Sequence, residues 1–340
     1  MVFLLSVGIL TAAPLAPDPV WAGLPLALSM VGTFAALFFA PALLHRWGPK
    51  RGLLLGFALG ALGVNLVVAG LTTGHFALVC GGFLVYGLHQ AFVLPFRWSA
   101  GLWVGLAAAV LGPLVGLGGR DLGAIPFVGS FLVLLGVLAL QAMLTASLPM
   151  LVLPPAEPET RRPWRERLVD PSWRLAVTAL ALGSAAQGLL LAATPVAMHE
   201  YGHPFWASMA VLVAYGLAVG LASALSPVLL RRWGARRLIA GGLVLLAAQG
   251  AALLGTELGF YLGALTLLGL GWGLLYAGAR NLGAKGRSGG LVFLWAAFSS
   301  FGAGAWERPL GWPGLQLLSL ALLAVVAAVL LTRRPGVAGS

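Results

Sequence analysis

Apolar residues gather along this chain into long runs, interrupted by charges or by Pro and Gly turns. Twelve runs can be marked, at about 2–16, 20–44, 52–71, 76–96, 99–117, 124–148, 173–197, 205–230, 237–254, 258–279, 289–305 and 313–332. A helix that crosses a bilayer needs about 20 residues. The pattern therefore predicts an all-α polytopic membrane protein with twelve transmembrane helices. The connections at 17–19 and 72–75 are so short that their flanking helices must be antiparallel neighbours.

Composition narrows the picture further. Of 340 residues, 60% are hydrophobic and 9% are charged. Soluble domains are nearer 45–50% apolar and about 25% charged. A water-soluble enzyme and a disordered chain are excluded. Cys80 is the single cysteine, so a disulfide scaffold is excluded as well.

The formal charge of +11 would suggest nucleic acid in a soluble protein. Here it is a matter of topology, because insertion leaves Lys and Arg in cytoplasmic loops. With both termini cytoplasmic, the inner connections hold eighteen of the twenty basic residues. They are Arg46, Lys50, Arg51, Arg97, Arg161, Arg162, Arg165, Arg167, Arg174, Arg231, Arg232, Arg236, Arg237, Arg280, Lys285, Arg287, Arg333 and Arg334. Only Arg120 and Arg308 fall outside. The expected location is the plasma (cytoplasmic) membrane, with the lipid bilayer as partner and no nucleic acid. The first run lacks the basic flank of a signal peptide, since no Lys or Arg precedes Arg46. It is also short, which fits either a short helix or a start upstream.

An internal repeat organises the runs. Residues 40–51, A-P-A-L-L-H-R-W-G-P-K-R, match 226–237, S-P-V-L-L-R-R-W-G-A-R-R, at seven of twelve positions and an offset of 186. At that offset Tyr86-Gly87 lies over Trp272-Gly273. Two six-helix bundles are expected, 1–150 and 173–335, joined by a polar cytoplasmic linker at 151–172. They are parallel repeats.

Six plus six spans and a basic R-W-G-x-[KR]-R turn after spans 2 and 8 resemble the major facilitator superfamily. Its loop signature is roughly G-x-x-x-D-R-x-G-R-[KR]. Arg46, Gly48, Lys50 and Arg51 fall on it, as do Arg232, Gly234, Arg236 and Arg237. The resemblance makes them a cytoplasmic gate. The signature Asp is His45 in one half and Arg231 in the other, and the leading Gly is Pro41 or Pro227. A second segment, G-P-L-V-G-L-G-G at 112–119, is similar to the family's antiporter Gly-Pro motif, with Ala108 in place of a Gly. The resemblance implies a secondary transporter working by alternating access, with export favoured, no cofactor and a monomeric chain.

Three groups of residues carry candidate chemistry. H-E-Y-G-H at 199–203 satisfies H-E-x-x-H, in which His199 and His203 bind zinc and Glu200 acts as base. An intramembrane metalloprotease is thus an alternative. Pro204 and the absence of any Asp after Asp170 favour a plain connection and no metal. His89 is the strongly ionisable residue near the middle of a span, a functional hypothesis by default, and the expected proton-coupling residue. Its competing role is a neutral His bonded to a neighbouring helix. Tyr86, His89, Gln90, Ser184, Gln187, Trp272 and Tyr276 are expected to line the substrate cavity, although the same residue types also serve as interhelical glue.

The predicted cores hold no Asp or Glu, and no cation is expected at mid-depth. A small neutral, cationic or amphipathic organic molecule fits such walls better than an anion does. A transport-dead sensor or assembly factor is the remaining alternative.

Overall fold

The computed structural model describes residues 2–99, 101–148, 169–283 and 287–332. In chain order the helices are α1 (Val2–Ala12), α2 (Leu24–Ala36), α3 (Ala40–Trp47), α4 (Pro49–Thr73), α5 (Phe76–Ser99) and α6 (Gly101–Gly119). Next come α7 (Val128–Ser147), α8 (Pro171–Glu200), α9 (Phe205–Ala248), α10 (Leu258–Asn281) and α11 (Arg287–Leu331). Short 3-10 turns at Pro19–Gly23 and Gln249–Leu254 complete the set. Among the described residues, eight helices are long and apolar enough to cross a membrane. Two shorter apolar stretches, Gly105–Gly119 and Gly290–Ala303, accompany them. The protein is an integral membrane protein.

The helix boundaries have local causes. Asp170 caps α8, its Oδ1 accepting from the backbone of Ser172 at 2.8 Å and Trp173 at 3.5 Å, and Pro171 fills a first-turn position that needs no donor. The run expected as one helix over 20–44 is broken instead. Pro41 has no N–H to offer the preceding turn, and the chain rests at Leu37–Phe39 before α3 begins. The run at 237–254 ends its α-helix at Ala248 and tightens into a 3-10 turn. The two expected runs at 289–305 and 313–332 are joined by helix, interrupted where Gly311 takes φ 61° and ψ 178°.

The repeat is visible in the backbone. Gly48 (φ 82°, ψ 157°) and Gly234 (φ 78°, ψ 165°) share one non-helical conformation, open to Gly and strained for other residues. Both breaks sit inside the basic R-W-G turns, 186 residues apart in the sequence.

In the first half α5 packs on α2 and α4, and α4 on α7. In the second half α10 packs on α9 and α8, and α8 on α11. The halves meet where α11 lies along α2, α9 along α6 and α1 against α8. Glycines set the separation. A methyl at Gly63 would lie 2.7 Å from the Gly82 carbonyl, and one at Gly242 would lie 2.7 Å from the Gly271 carbonyl. Small residues of this kind let membrane helices approach closely. The linker residues 149–168, with Arg161, Arg162, Arg165 and Arg167, lie outside the described residues, as do Lys285, Arg333 and Arg334.

Candidate functional site

The mid-helix polar residues fall into two sets related by the repeat. On α5 stand Tyr86, His89 and Gln90; the offset of 186 carries these to Trp272, Leu275 and Tyr276 on α10. Tyr86 and Trp272 are both buried. Gln90 and Tyr276 are half-buried.

His89 lies in the seam between α4 and α5. Its Nδ1 is 2.9 Å from the Gly56 carbonyl. A carbonyl only accepts, so Nδ1 carries the proton and the neutral ring keeps an acceptor at Nε2. A methyl at Gly60 would touch the ring at 3.0 Å, and Phe57 and Tyr86 flank it at 5.7 and 5.2 Å between centroids. Its repeat partner Leu275 occupies the matching seam, where a methyl at Gly242 would meet the Leu275 backbone nitrogen at 2.8 Å. The first half thus places an imidazole where the second half places a leucine.

The second half holds the richer polar group. Gln187 Nε2 donates to the Tyr215 hydroxyl at 2.6 Å, joining α8 to α9. Trp272 packs over Gly183, where a methyl would lie 3.3 Å from the indole, and its ring is 5.7 Å from that of Tyr276. Arg280, one turn beyond, donates to the Tyr276 hydroxyl at 3.2 Å and lies 5.6 Å from its ring centroid. Ser184 and Thr194 turn back on their own helix, to the carbonyls of Ala181 at 2.9 Å and Leu190 at 2.6 Å. Gln90 keeps a buried Nε2 with no acceptor among the described residues.

Tyr215 and Arg280 escaped the sequence reading. Tyr215 is one hydroxyl in an apolar run, and nothing in its spacing marks it. Arg280 follows Tyr276 by four positions, a spacing that puts both on one helix face. It was read only as a cytoplasmic charge, and it stands in the last turn of α10.

Lys50 Nζ donates to the Leu148 carbonyl at 2.9 Å, at the end of α7. A cation there satisfies a terminal carbonyl and complements the helix dipole. Arg46, Arg51, Arg231 and Arg232 are exposed.

The H-E-x-x-H segment does not form a zinc helix. α8 ends at Glu200 and Gly202 turns left-handed at φ 78°. Gly202 N–H then bonds to the His199 carbonyl at 3.0 Å and His203 N–H to the Met198 carbonyl at 2.9 Å, a paired helix stop. His203 Nε2 faces the Thr256 carbonyl at 2.7 Å. The two His are therefore not stacked one turn apart on a continuous helix, which the protease geometry requires.

No family model matches the chain. It is 30% identical to the riboflavin transporter RfnT of Brucella anthropi over 362 residues, covering 97% of this chain and 90% of that protein. It is 26% identical to the uncharacterized MFS-type transporter YdeG of Bacillus subtilis, over 96% of this chain and 85% of that one. Among solved structures, the nucleoside transporter NupG superposes with a TM-score of 0.70 at 13% identity, over 97% of this chain and 96% of that one. The MFS transporter FucP in its outward conformation gives a TM-score of 0.56 at 16% identity, over 98% and 97%.

Proposed function

Because the chain belongs to the major facilitator superfamily of transporters, we propose that it carries riboflavin, or a close flavin relative, across the membrane by alternating access. The observation that carries this reading is the 30% identity to a riboflavin transporter along nearly the whole chain. The polar group is chemically suited to such a cargo. Trp272 and Tyr276 offer π-faces to a planar heteroaromatic ring, and Gln187 with Tyr215 offers neutral donors and acceptors to ring carbonyls or a polyol. A neutral molecule also answers the lack of acidic residues in the apolar runs. The cycle is reversible, so gradients set the direction. The Gly-Pro segment at 112–119 favours export, and exchange assays read either sense.

In this reading twelve spans form two bundles, 1–150 and 173–335, linked through 151–172, with both termini cytoplasmic. Reporter fusions after Arg97, Arg167, Arg237 and Arg334 should report cytoplasm, and one after Glu257 the outside. Reversal at two of these sites would refute the arrangement.

Ligand-dependent stability tests the substrate. A ligand that binds only the folded state at a hundredfold excess over its Kd adds about 2.7 kcal/mol. Riboflavin should raise the unfolding temperature of detergent-purified protein, while fucose and uridine leave it unchanged. No shift with riboflavin would sink the assignment.

We assign His89 to helix packing in place of proton coupling. Its bond to Gly56 and its equivalence to Leu275 support this. His89→Gln retains an amide donor for the Gly56 carbonyl. Its response to an imposed pH gradient should equal that of the wild type. Selective loss of gradient-driven accumulation, with exchange intact, would restore His89 as the proton carrier.

A further inference from the structure

A cavity of about 450 Å³ lies where the 119–128 and 200–205 connections meet, and its lining includes none of Gln187, Tyr215, Trp272 and Tyr276. That volume is within the range of small-molecule sites, roughly 300–1,000 Å³. In the proposed topology it opens outward. Both halves build it: Arg120 and Phe127 from the first, His203 and Phe205 from the second, with Leu10 and Pro195 as apolar wall.

Its chemistry is specific. The Arg120 guanidinium lies 4.9 Å from the Phe205 centroid and 5.8 Å from that of Phe127. The two rings meet edge to face at 5.6 Å. Stacking uses the face of a guanidinium and leaves its N–H groups in the plane for acceptors. Arg120 Nε is buried and has no hydrogen-bond acceptor among the described residues. A carboxylate oxygen of the exposed Asp121 stands 3.7 Å from it. His203, with Nε2 turned to Thr256, keeps an acceptor at Nδ1 in its neutral form.

Phe127 reinforces the point. It holds φ 70°, ψ −15°, a conformation costly for a bulky residue. Its N–H reaches the Arg120 carbonyl at 2.8 Å and closes the connecting loop. Strain of this kind persists where the surroundings enforce it and clusters at ligand clamps and gates.

We propose that this vestibule is a second, outer binding site for the transported molecule, taking the carbonyl-bearing edge of a neutral planar heteroaromatic ring. Arg120, held in place by Phe127 and Phe205, donates to a ring carbonyl, and His203 Nδ1 accepts a ring imide N–H. Leu10 and Pro195 receive its apolar edge. One guanidinium already shared with Asp121 suits a neutral acceptor edge better than a dianion. The choice of flavin rests on the functional reading above, whereas the site itself does not.

Equilibrium dialysis of the purified full chain against radiolabelled riboflavin tests this. Wild type should bind two molecules per chain. Arg120→Gln should bind one, Trp272→Ala the other one, and the double variant none. Phe205→Leu, which keeps apolar bulk without the π-face, should also lose one, and it carries the test if Arg120→Gln does not fold. One molecule per chain, kept by Arg120→Gln and Phe205→Leu and lost in Trp272→Ala, overturns the outer site and leaves the substrate intact. No binding by wild type overturns the flavin reading and this proposal together.

Discussion

Gly87→Leu should yield no folded protein, and Gly87→Ala should lower the unfolding temperature sharply. A methyl at Gly87 collides with the carbonyl oxygen of Ser29, and one at Gly32 collides with that of Leu84, so α2 and α5 meet backbone to backbone. Thr33 Oγ1 stitches the seam, bonding to Ser29 O at 2.9 Å and Gly87 O at 3.0 Å. The obstacle is backbone, which cannot rotate aside as a side chain would. Overpacking a tight core costs about 1–3 kcal/mol, occasionally more, and here it also breaks the Thr33 bond. Gly81 is the control, because nothing lies within 4 Å of a methyl there. Gly81→Ala should be neutral or slightly stabilising, since Gly in a helix interior costs roughly 0.5–1 kcal/mol relative to Ala. Equal melting curves for Gly87→Ala and Gly81→Ala would contradict the packing account.

The second large effect concerns Trp272. Removing a ring on which a flat heteroaromatic stacks costs about 1–3 kcal/mol for nucleobases on aromatic side chains. At about 1.4 kcal/mol per tenfold, that is roughly a 5- to 150-fold loss of affinity. Trp272→Ala should lose riboflavin exchange by a factor in this range, and Trp272→Phe should retain most of it. Gln187→Ala and Tyr215→Phe act on one hydrogen bond of 2.6 Å. Each single change leaves one polar partner buried and alone, so their effects should be non-additive. Unchanged affinity in Trp272→Ala, with the fold intact, would remove the ring from the site.

Much of the architecture was legible because the repeat copies its own punctuation. The R-W-G turns announced two equivalent breaks, and Gly48 and Gly234 share the same positive-φ conformation. Hydropathy alone missed breaks that lie inside apolar sequence. Pro41 interrupts the second run without any polar signal. E-R-P-L-G-W-P reads as a connection, and it holds the Gly311 kink at which two helices meet. At the candidate site, residue type and repeat position point to different features. His89 drew notice as an ionisable group, and the offset of 186 sets it against Leu275, a comparison the sequence reading did not make. Tyr215 and Gln187 come together from α9 and α8, a contact no local pattern records. H-E-Y-G-H matched a motif, but Gly202 ended the helix that the motif needs.

The central claim is carriage of riboflavin. Purified protein in liposomes loaded with unlabelled riboflavin should take up external labelled riboflavin by exchange. Excess riboflavin should compete, excess fucose should not, and Trp272→Ala should lose exchange roughly 5- to 150-fold. Wild-type liposomes indistinguishable from protein-free ones, while the protein still binds riboflavin in detergent, would make this chain a sensor and contradict the transport account.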